Sequence, residues 1–294
     1  MAETKQKIFD AQFLEALSTL HIVARRVPAR GRPAEQRSRD LGSGIEFHDF
    51  RPYAAGDDIK SIDWNIYRRL GRVMLRLFIE LEDLPLYILP DISKSMFVDG
   101  RVVAGLRAAL GFAAVALNQL DRVGIFPFSD RLGPIQRPGA GHHRLMQIAA
   151  HLEALEPGGT TDFATSIGAF ASMNLRRGLA VVVSDFFDPK GLEAVTAALQ
   201  GVRHRLVLVQ LTRGSDGDPG VSGDLRLVDC ETGGFEDLTI SASVLERYRD
   251  AYASFRQGIA AFAERRHAGL VRLDADQPVL PQLSTLFEGG RYLV

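Results

Sequence analysis

The stretch Leu86-Tyr87-Ile88-Leu89-Pro90-Asp91-Ile92-Ser93-Lys94-Ser95 decides the fold of this chain. Its four consecutive apolar residues predict a buried strand, and the polar residues that follow predict a turn. Strands buried on both faces are typical of parallel sheets that helices cover on both sides. The stretch therefore predicts an α/β fold with polar side chains at the carboxyl end of an early core strand.

The rest of the chain after Leu84 repeats this alternation of apolar strands and helices. Further strands are predicted at residues 123–128, 179–183, 206–211 and 270–273. Helices are predicted at residues 102–120, 145–155, 163–174, 192–199, 244–266 and 280–287. A hairpin of residues 225–229 with 236–240 is predicted inside a glycine- and aspartate-rich excursion. The alternation predicts a mostly parallel sheet with helices on both faces.

The residues before Leu84 do not show this alternation of strands and helices. Residues 10–27 carry apolar side chains at a helical period, and Pro28 ends the pattern. A basic stretch at residues 29–43 predicts a loop, and residues 72–79 alternate as a strand does. We expect a small N-terminal α+β module over residues 1–84, followed by the α/β domain over residues 85–294.

Composition narrows the class of protein. The chain has 294 residues, 46% hydrophobic and 24% charged, which is ordinary for a globular protein with a large core. The formal net charge of −1 argues against a general nucleic-acid or membrane-surface binder. The single cysteine, Cys230, excludes a disulfide within the chain and fits a reducing compartment. With no signal-peptide pattern and no apolar run of ~18 residues, we expect a cytoplasmic protein without a transmembrane segment.

Three polar clusters are expected to meet at one edge of the sheet. Asp91, Ser93 and Ser95 follow the strand at residues 86–89, and Ser184-Asp185 follow the strand at residues 179–183. The third cluster, Gly158-Gly159-Thr160-Thr161-Asp162, lies in a loop before a helix. In open α/β sheets, ligands bind at the carboxyl ends of the strands, near the point where strand order reverses.

The chemistry of these side chains predicts a metal site. They offer hydroxyl and carboxylate oxygens without nitrogen or sulfur, which suits Mg²⁺, or Mn²⁺ or Ca²⁺, better than Zn²⁺. Ser93, Ser95 and Thr161 are neutral, so a cation held here with Asp91 and Asp185 keeps positive charge for an external carboxylate. Gly158 and Gly159 are expected to allow a tight loop beside the cation.

These residues resemble the metal-ion-dependent adhesion site of von Willebrand factor A domains. The order is the same: Asp-x-Ser-x-Ser at residues 91–95, a loop threonine, and Asp185 after a later strand. Thr161 matches the threonine better, because residues 161–167 reproduce the family's spacing into the next helix, and Thr160 stays open. The resemblance implies a metal-dependent binding protein on a von Willebrand factor A-like sheet, not an enzyme.

A second resemblance lies in the N-terminal part. Residues 42–53, Gly-Ser-Gly-Ile-Glu-Phe-His-Asp-Phe-Arg-Pro-Tyr, with residues 56–58 and 62–64, are similar to the signature of the domain-of-unknown-function 58 family. Arg68-Arg69 departs from the alanine-arginine pair expected there. The resemblance implies an adaptor or assembly factor that works with a MoxR-type AAA+ ATPase, or with an acidic client of that ATPase.

Two alternatives stay open. The first is a Mg²⁺-dependent phosphatase of the haloacid dehalogenase type, which also has an aspartate after its first strand. Such an enzyme needs a second aspartate as general acid where this chain has Ser93, and a hydroxyl is a poor proton donor at neutral pH. The second alternative concerns the signature block. Its polar and aromatic residues either form a buried or half-buried polar cluster that docks the N-terminal module on the sheet, or form a face that binds a partner. The residues of the polar cluster would be Arg51, Asp57, Asp63 and Trp64. The basic residues near the partner-binding face would be Arg68, Arg69, Arg72 and Arg76.

Overall fold

The computed structural model describes residues 8–17, 46–54, 57, 59, 62–79, 85–118, 121–141 and 143–288. These residues fall into two compact units. The larger unit contains those within residues 1–28 and 84–293, and the smaller unit contains those within residues 29–83.

The first helix belongs to the larger unit. Helix α1 covers residues 11–17 of the predicted helix, and the remainder of that prediction, residues 18–27, lies outside the described residues. Phe9, Phe13 and Leu17 are buried in the core of the larger unit. Arg107 also binds the segment, donating to the backbone oxygen of Ile8 at 2.9 Å. The division at residue 84 therefore does not apply to this segment, which the sequence placed in the N-terminal module.

The smaller unit is built on an antiparallel strand pair. Strand β1 (Glu46–Pro52) pairs with β2 (Met74–Ile79), and helix α2 (Trp64–Leu70) lies between them in the chain. Asp63 caps α2 by accepting from two backbone N–H groups, and Arg51 forms a two-pronged ion pair with Asp57. Trp64 is exposed, and its ring contacts Tyr67 of the same helix edge to face. The predicted loop at residues 29–43, together with residues 42–45, 56 and 58 of the signature, lies outside the described residues.

Six strands form the central sheet within the described part of the larger unit. They are β3 (Leu86–Pro90), β4 (Val123–Ile125), β5 (Gln136–Gly139), β6 (Leu179–Ser184), β7 (Arg205–Thr212) and β10 (Gly269–Asp274). Their spatial order is β10-β7-β6-β3-β4-β5, and all neighbours are parallel except β4 and β5. The order reverses between β3 and β6, where an open α/β sheet binds its ligands.

Helices cover both faces of this sheet. Successive side chains of β3 alternate between two cores, with Ile88 in one and Leu89 in the other. The first core contains α1 and helices α4 (Arg101–Asn118), α5 (His143–Glu153) and α10 (Val279–Glu288). The second core contains α6 (Phe163–Ser172), α7 (Gly191–Gln200) and α9 (Ala242–Arg266). The predicted fold class, a mostly parallel α/β sheet with helices on both faces, is confirmed.

Helix α4 explains the most apolar stretch of the sequence. It is the one helix among the described residues whose length and composition would allow it to cross a membrane, and 83% of it is buried inside the larger unit. Gly105 lets it approach the sheet, because a Cβ atom there would lie 3.1 Å from Leu211 Cδ1. The helix packs as the core helix that the sequence predicted.

Three short elements complete the description. Helices α3 (Lys94–Val98) and α8 (Gly214–Gly217) are single turns. The predicted hairpin is confirmed as β8 (Gly223–Val228) and β9 (Phe235–Ile240), which pair with each other outside the central sheet. Strand β5 was not predicted, because its residues Gln-Arg-Pro-Gly show neither an apolar run nor alternation.

We expect Gly178→Ala to destabilise the sheet. An alanine Cβ would lie 2.1 Å from the backbone oxygen of Pro85, at the point where β3 and β6 begin side by side. Relief requires backbone movement, so the free energy of unfolding should fall by about 1–3 kcal/mol in urea denaturation. The control is Gly168→Ala inside α6, where no atom lies within 4 Å, and it should raise stability by about 0.5–1 kcal/mol. Equal effects of the two changes would contradict the close approach.

Candidate metal and ligand site at the carboxyl edge of the sheet

The end of β3 is held by both of its neighbours. The N–H of Asp91 donates to the oxygen of Val183 in β6 at 2.9 Å. The N–H of Ile92 donates to the oxygen of Phe128, beyond β4, at 2.8 Å. These two bonds fix the turn at the point of strand reversal, so that the side chains after it converge at the carboxyl edge.

Asp91 is the buried acid of this edge. Its Oδ1 accepts from the N–H of Ser93 at 2.9 Å, and its Oδ2 accepts from the Ser184 hydroxyl at 2.6 Å. Burial raises the pKa of Asp91 to about 6, and the hydrogen bonds from Ser184 and Ser93 oppose that rise. The carboxyl group is therefore oriented from two sides and is poorly solvated.

Three hydroxyl groups lie beside Asp91. Ser93 is at the N-terminus of α3, and its Oγ lies 3.0 Å from the Oγ of Ser95. The hydroxyls of Ser95 and Thr161 donate to the same oxygen, Glu231 Oε1, at 2.8 and 2.9 Å. Thr161, rather than Thr160, is thus the loop threonine whose hydroxyl reaches the cluster.

The loop that carries Thr161 is bound tightly to the end of β3. Gly158 donates its N–H to the backbone oxygen of Ile92 at 2.7 Å, and the backbone N–H of Lys94 donates to the oxygen of Gly159 at 3.2 Å. A Cβ atom at Gly158 would lie 2.2 Å from Ser129 Oγ. These contacts show the tight loop that was expected at the glycine pair, and the cation beside it stays a prediction.

Asp185 follows β6 and faces a buried arginine. Arg101 donates to Asp185 Oδ2 at 2.9 Å and also pairs with Asp216 and Asp99. Burial and the nearby charge of Asp91 raise the pKa of Asp185 to about 7, against the opposing effect of Arg101. The second oxygen of Asp185 accepts from the N–H of Phe187 at 3.0 Å. Both oxygens are therefore engaged within the chain.

The structure brings four of the five predicted residues into one cluster and places the fifth beside it. Asp91, Ser93, Ser95 and Thr161 are linked to each other directly or through Glu231, whereas Asp185 is bound by Arg101. Ser184, which the sequence grouped with Asp185 but did not name as a ligand, binds Asp91. Sequence reasoning missed two participants, Arg101 and Glu231, because no pattern in the sequence linked either of them to this edge.

The oxygen–oxygen distances within the cluster are those of ordinary hydrogen bonds, and they also equal the spacing of adjacent Mg²⁺ ligands. Adjacent ligands of an octahedral Mg²⁺ at 2.0–2.1 Å lie about 2.9 Å apart. The three oxygen–oxygen distances between Ser93, Ser95, Thr161 and Glu231 are 3.0, 2.8 and 2.9 Å. Within the described ranges, no group of three or more His, Cys, Asp or Glu side chains could hold a metal ion. A cation at this edge would thus depend on hydroxyl ligands.

We expect Arg101→Met to destabilise the protein strongly. The change leaves Asp185 and Asp216 buried without their cation, and breaking a buried ion pair in this way costs about 3–5 kcal/mol of unfolding free energy. The control is Arg249→Met, which breaks an exposed ion pair with Asp218 and should cost less than about 1 kcal/mol. Chemical denaturation at neutral pH measures both, and a loss at Arg101 no larger than at Arg249 would refute the buried charge network.

Two mycobacterial proteins show sequence similarity to this chain. An uncharacterized protein of Mycobacterium bovis is 26% identical over 258 residues, which cover 82% of this chain and 78% of that protein. An uncharacterized protein of Mycobacterium avium is 30% identical over 116 residues, which cover 40% and 68%.

Two solved structures show a weaker likeness. BatB, a conserved hypothetical protein of Bacteroides thetaiotaomicron, has 15% identity, covers 71% of this chain and 98% of its own, and has a TM-score of 0.37. An aerotolerance-related membrane protein of Bacteroides fragilis has 13% identity, coverages of 70% and 97%, and a TM-score of 0.34. The fold assignment depends on the strand order and the two cores, and these likenesses add no weight to it.

The family comparison covers most of the chain. The family model described as "Protein of unknown function DUF58" matches residues 49–258. The match includes the part of the signature from Asp49 onward, the central sheet from β3 to β7, the hairpin and most of α9. The chain belongs to the DUF58 family.

Proposed function

We propose that this protein is a non-catalytic adaptor that binds an acidic group of a partner protein through a divalent cation, Mg²⁺ or else Mn²⁺ or Ca²⁺. The observation that carries the proposal is the cluster of Ser93, Ser95 and Thr161 hydroxyls beside Asp91, with a carboxylate already bound to two of them. The proposal is supported by oxygen ligands of the kind that a hard cation prefers and by the internal carboxylate of Glu231, which two of the hydroxyls bind.

The charges around the cluster support a cation that retains positive charge. Arg101 offsets the charge of Asp185, so Asp91 is the one acid of the predicted set that remains at the hydroxyls, beside Glu231 from the β8–β9 hairpin. Neutral hydroxyl ligands do not reduce the charge of a bound cation. A carboxylate from outside would therefore be attracted, and the attraction is strong where an interface excludes water.

The same groups give little support to hydrolysis. Both oxygens of Asp91 accept hydrogen bonds, and only 2% of the residue is exposed, which suits a ligand-orienting role better than nucleophilic attack. Ser93 occupies the position where a haloacid dehalogenase-type phosphatase has its general acid. A generic aryl phosphate assay with Mg²⁺ distinguishes this alternative, since the adaptor releases no phosphate.

Removal of the Asp91 charge should abolish cation binding. We expect Asp91→Asn to lower Mn²⁺ affinity, measured by calorimetry, by about 100-fold or more. Removing a residue that only orients the metal ligands lowers affinity by ~10–100-fold, so a larger loss indicates that Asp91 is itself a ligand. The matched control is Asp276→Asn, an exposed acid after β10 at the same edge, which should bind Mn²⁺ as the wild type does. Far-ultraviolet circular dichroism verifies folding, and unchanged affinity in Asp91→Asn would exclude the proposed site.

The family resemblance suggests the partner. DUF58 proteins are expected to act with MoxR-type AAA+ ATPases, so the acidic group would come from such an ATPase or from a client that it remodels. Catalysis would then belong to the ATPase, and this chain would select or present the substrate.

Complex formation with the ATPase should depend on the hydroxyl cluster. We expect Ser93→Ala to weaken binding to the MoxR-type ATPase of the same organism by about tenfold, or ~1.4 kcal/mol, in a quantitative pull-down with purified proteins. The variant is a sharper test than a chelator, because ATP binding by the ATPase also needs Mg²⁺. Ser172→Ala in α6, whose hydroxyl only bonds its own helix, is the control. Full binding by Ser93→Ala would reject the cation bridge as the contact.

A further inference from the structure

The β8–β9 hairpin places a carboxylate on the candidate site. Glu231 Oε1 accepts from the hydroxyls of Ser95 and Thr161 at 2.8 and 2.9 Å, and its Oε2 accepts from the N–H of Thr161 at 3.0 Å. Glu231 is 136 residues from Ser95 and 70 from Thr161 in the chain, so these are tertiary contacts. The side chain thus binds the same hydroxyls that an external acidic group would need.

The hairpin turn fixes the direction of this side chain. Asp229 Oδ1 accepts from the N–H of Glu231 at 2.9 Å, and the N–H of Asp229 donates to the oxygen of Gly234 at 2.7 Å. Gly233 has a φ of 74°, a left-handed conformation that glycine adopts readily. The turn therefore presents Glu231 at its tip by local bonds that do not depend on the sheet.

The charges at the tip favour a cation between the hairpin and the sheet. Among the described ion pairs, none involves the Glu231 carboxylate, and the Lys94 amine donates to the Glu231 backbone oxygen at 3.4 Å. The Glu231 carboxylate contacts two neutral hydroxyls, and Asp91 is a second acid close to them. A divalent cation ligated by both acids would remove their repulsion.

The hydrogen-bonded attachment of the hairpin tip depends on this one residue, while Ile240 at the far end of β9 is buried. All hydrogen bonds recorded between residues 223–240 and the rest of the described chain end on Glu231. Val228 and Phe235 are more than half exposed, and neither strand joins the central sheet. A two-stranded hairpin is only marginally stable alone. The tip can therefore leave the site without opening either core.

We propose that Glu231 is an internal ligand of this site, which an acidic residue of the partner must displace. The inference deepens the proposed function and rests on it. In the closed form, Glu231 supplies the carboxylate; in the partner-bound form, the hairpin tip is released and the partner's carboxylate takes its place. Tethering gives Glu231 an effective concentration in the millimolar range, so the site discriminates against weak acidic ligands.

The test uses full-length protein and the hairpin sequence as probe. Wild type, Glu231→Gln and Glu236→Gln are titrated at saturating Mn²⁺ with a fluorescein-labelled peptide of residues 223–240 that carries Cys230→Ser. Glu236 is an exposed glutamate on the same hairpin and serves as the matched control. We expect Glu231→Gln to bind the peptide at least about tenfold more tightly than the other two proteins, because its tethered competitor is gone. A peptide with Glu231→Gln should not bind.

Hydrogen exchange gives an independent measurement. The Thr161 amide, which donates to Glu231, and the amides of residues 223–240 should exchange faster in Glu231→Gln than in Glu236→Gln. The inference alone is overturned if Mn²⁺ binds in an Asp91-dependent way while all three proteins have equal peptide affinity and exchange. If none of the proteins binds Mn²⁺, the proposed function is wrong. The inference about Glu231 is then wrong as well, because it requires a bound cation.

Discussion

The reversal of strand order between β3 and β6 is the constraint on which the site depends. The chain leaves β3 towards β4 and returns much later to form β6 on the other side, so the loops after these two strands diverge and leave a gap. Backbone hydrogen bonds from Asp91 to β6 and from Ile92 to the residue Phe128 after β4 fix the backbone at the base of that gap. The side chains of Asp91, Ser93 and Ser95 are positioned relative to these bonds, and the apolar packing on both faces maintains the bonds.

Charge is distributed around this gap in two groups. The first group is Arg101 with its acidic partners, a network in which Asp185 is already paired. The second group contains Asp91, the hydroxyls and Glu231, and no arginine or lysine pairs with a carboxylate there in the described ion pairs. The carboxylates of the first group are therefore neutralised within the chain, whereas those of the second group are not.

The sequence predicts the parts of this arrangement that follow from local pattern. The apolar run before Asp91 predicts a buried strand, and parallel strands bring their carboxyl ends to one edge, which groups Asp91, Ser93 and Ser95 with Asp185. Thr161 lies in a loop before a helix, and the adhesion-site resemblance is what adds it to this group. Pairings between distant segments carry no such pattern, and Arg101 with Asp185 is 84 residues apart in the chain. For the same reason the helical period around Phe13 predicts α1 but not the unit in which it packs.

The long separations within the site have a consequence for the order in which the protein matures. Ser184 reaches Asp91 across 93 residues, and Glu231 reaches Ser95 across 136. Contacts this distant form after local ones, since closing long loops is entropically costly. On the ribosome, Ser93 and Ser95 in the turn after β3 are synthesised long before β6 and the hairpin emerge. The completed cluster therefore requires that the sheet has been assembled through the strand reversal.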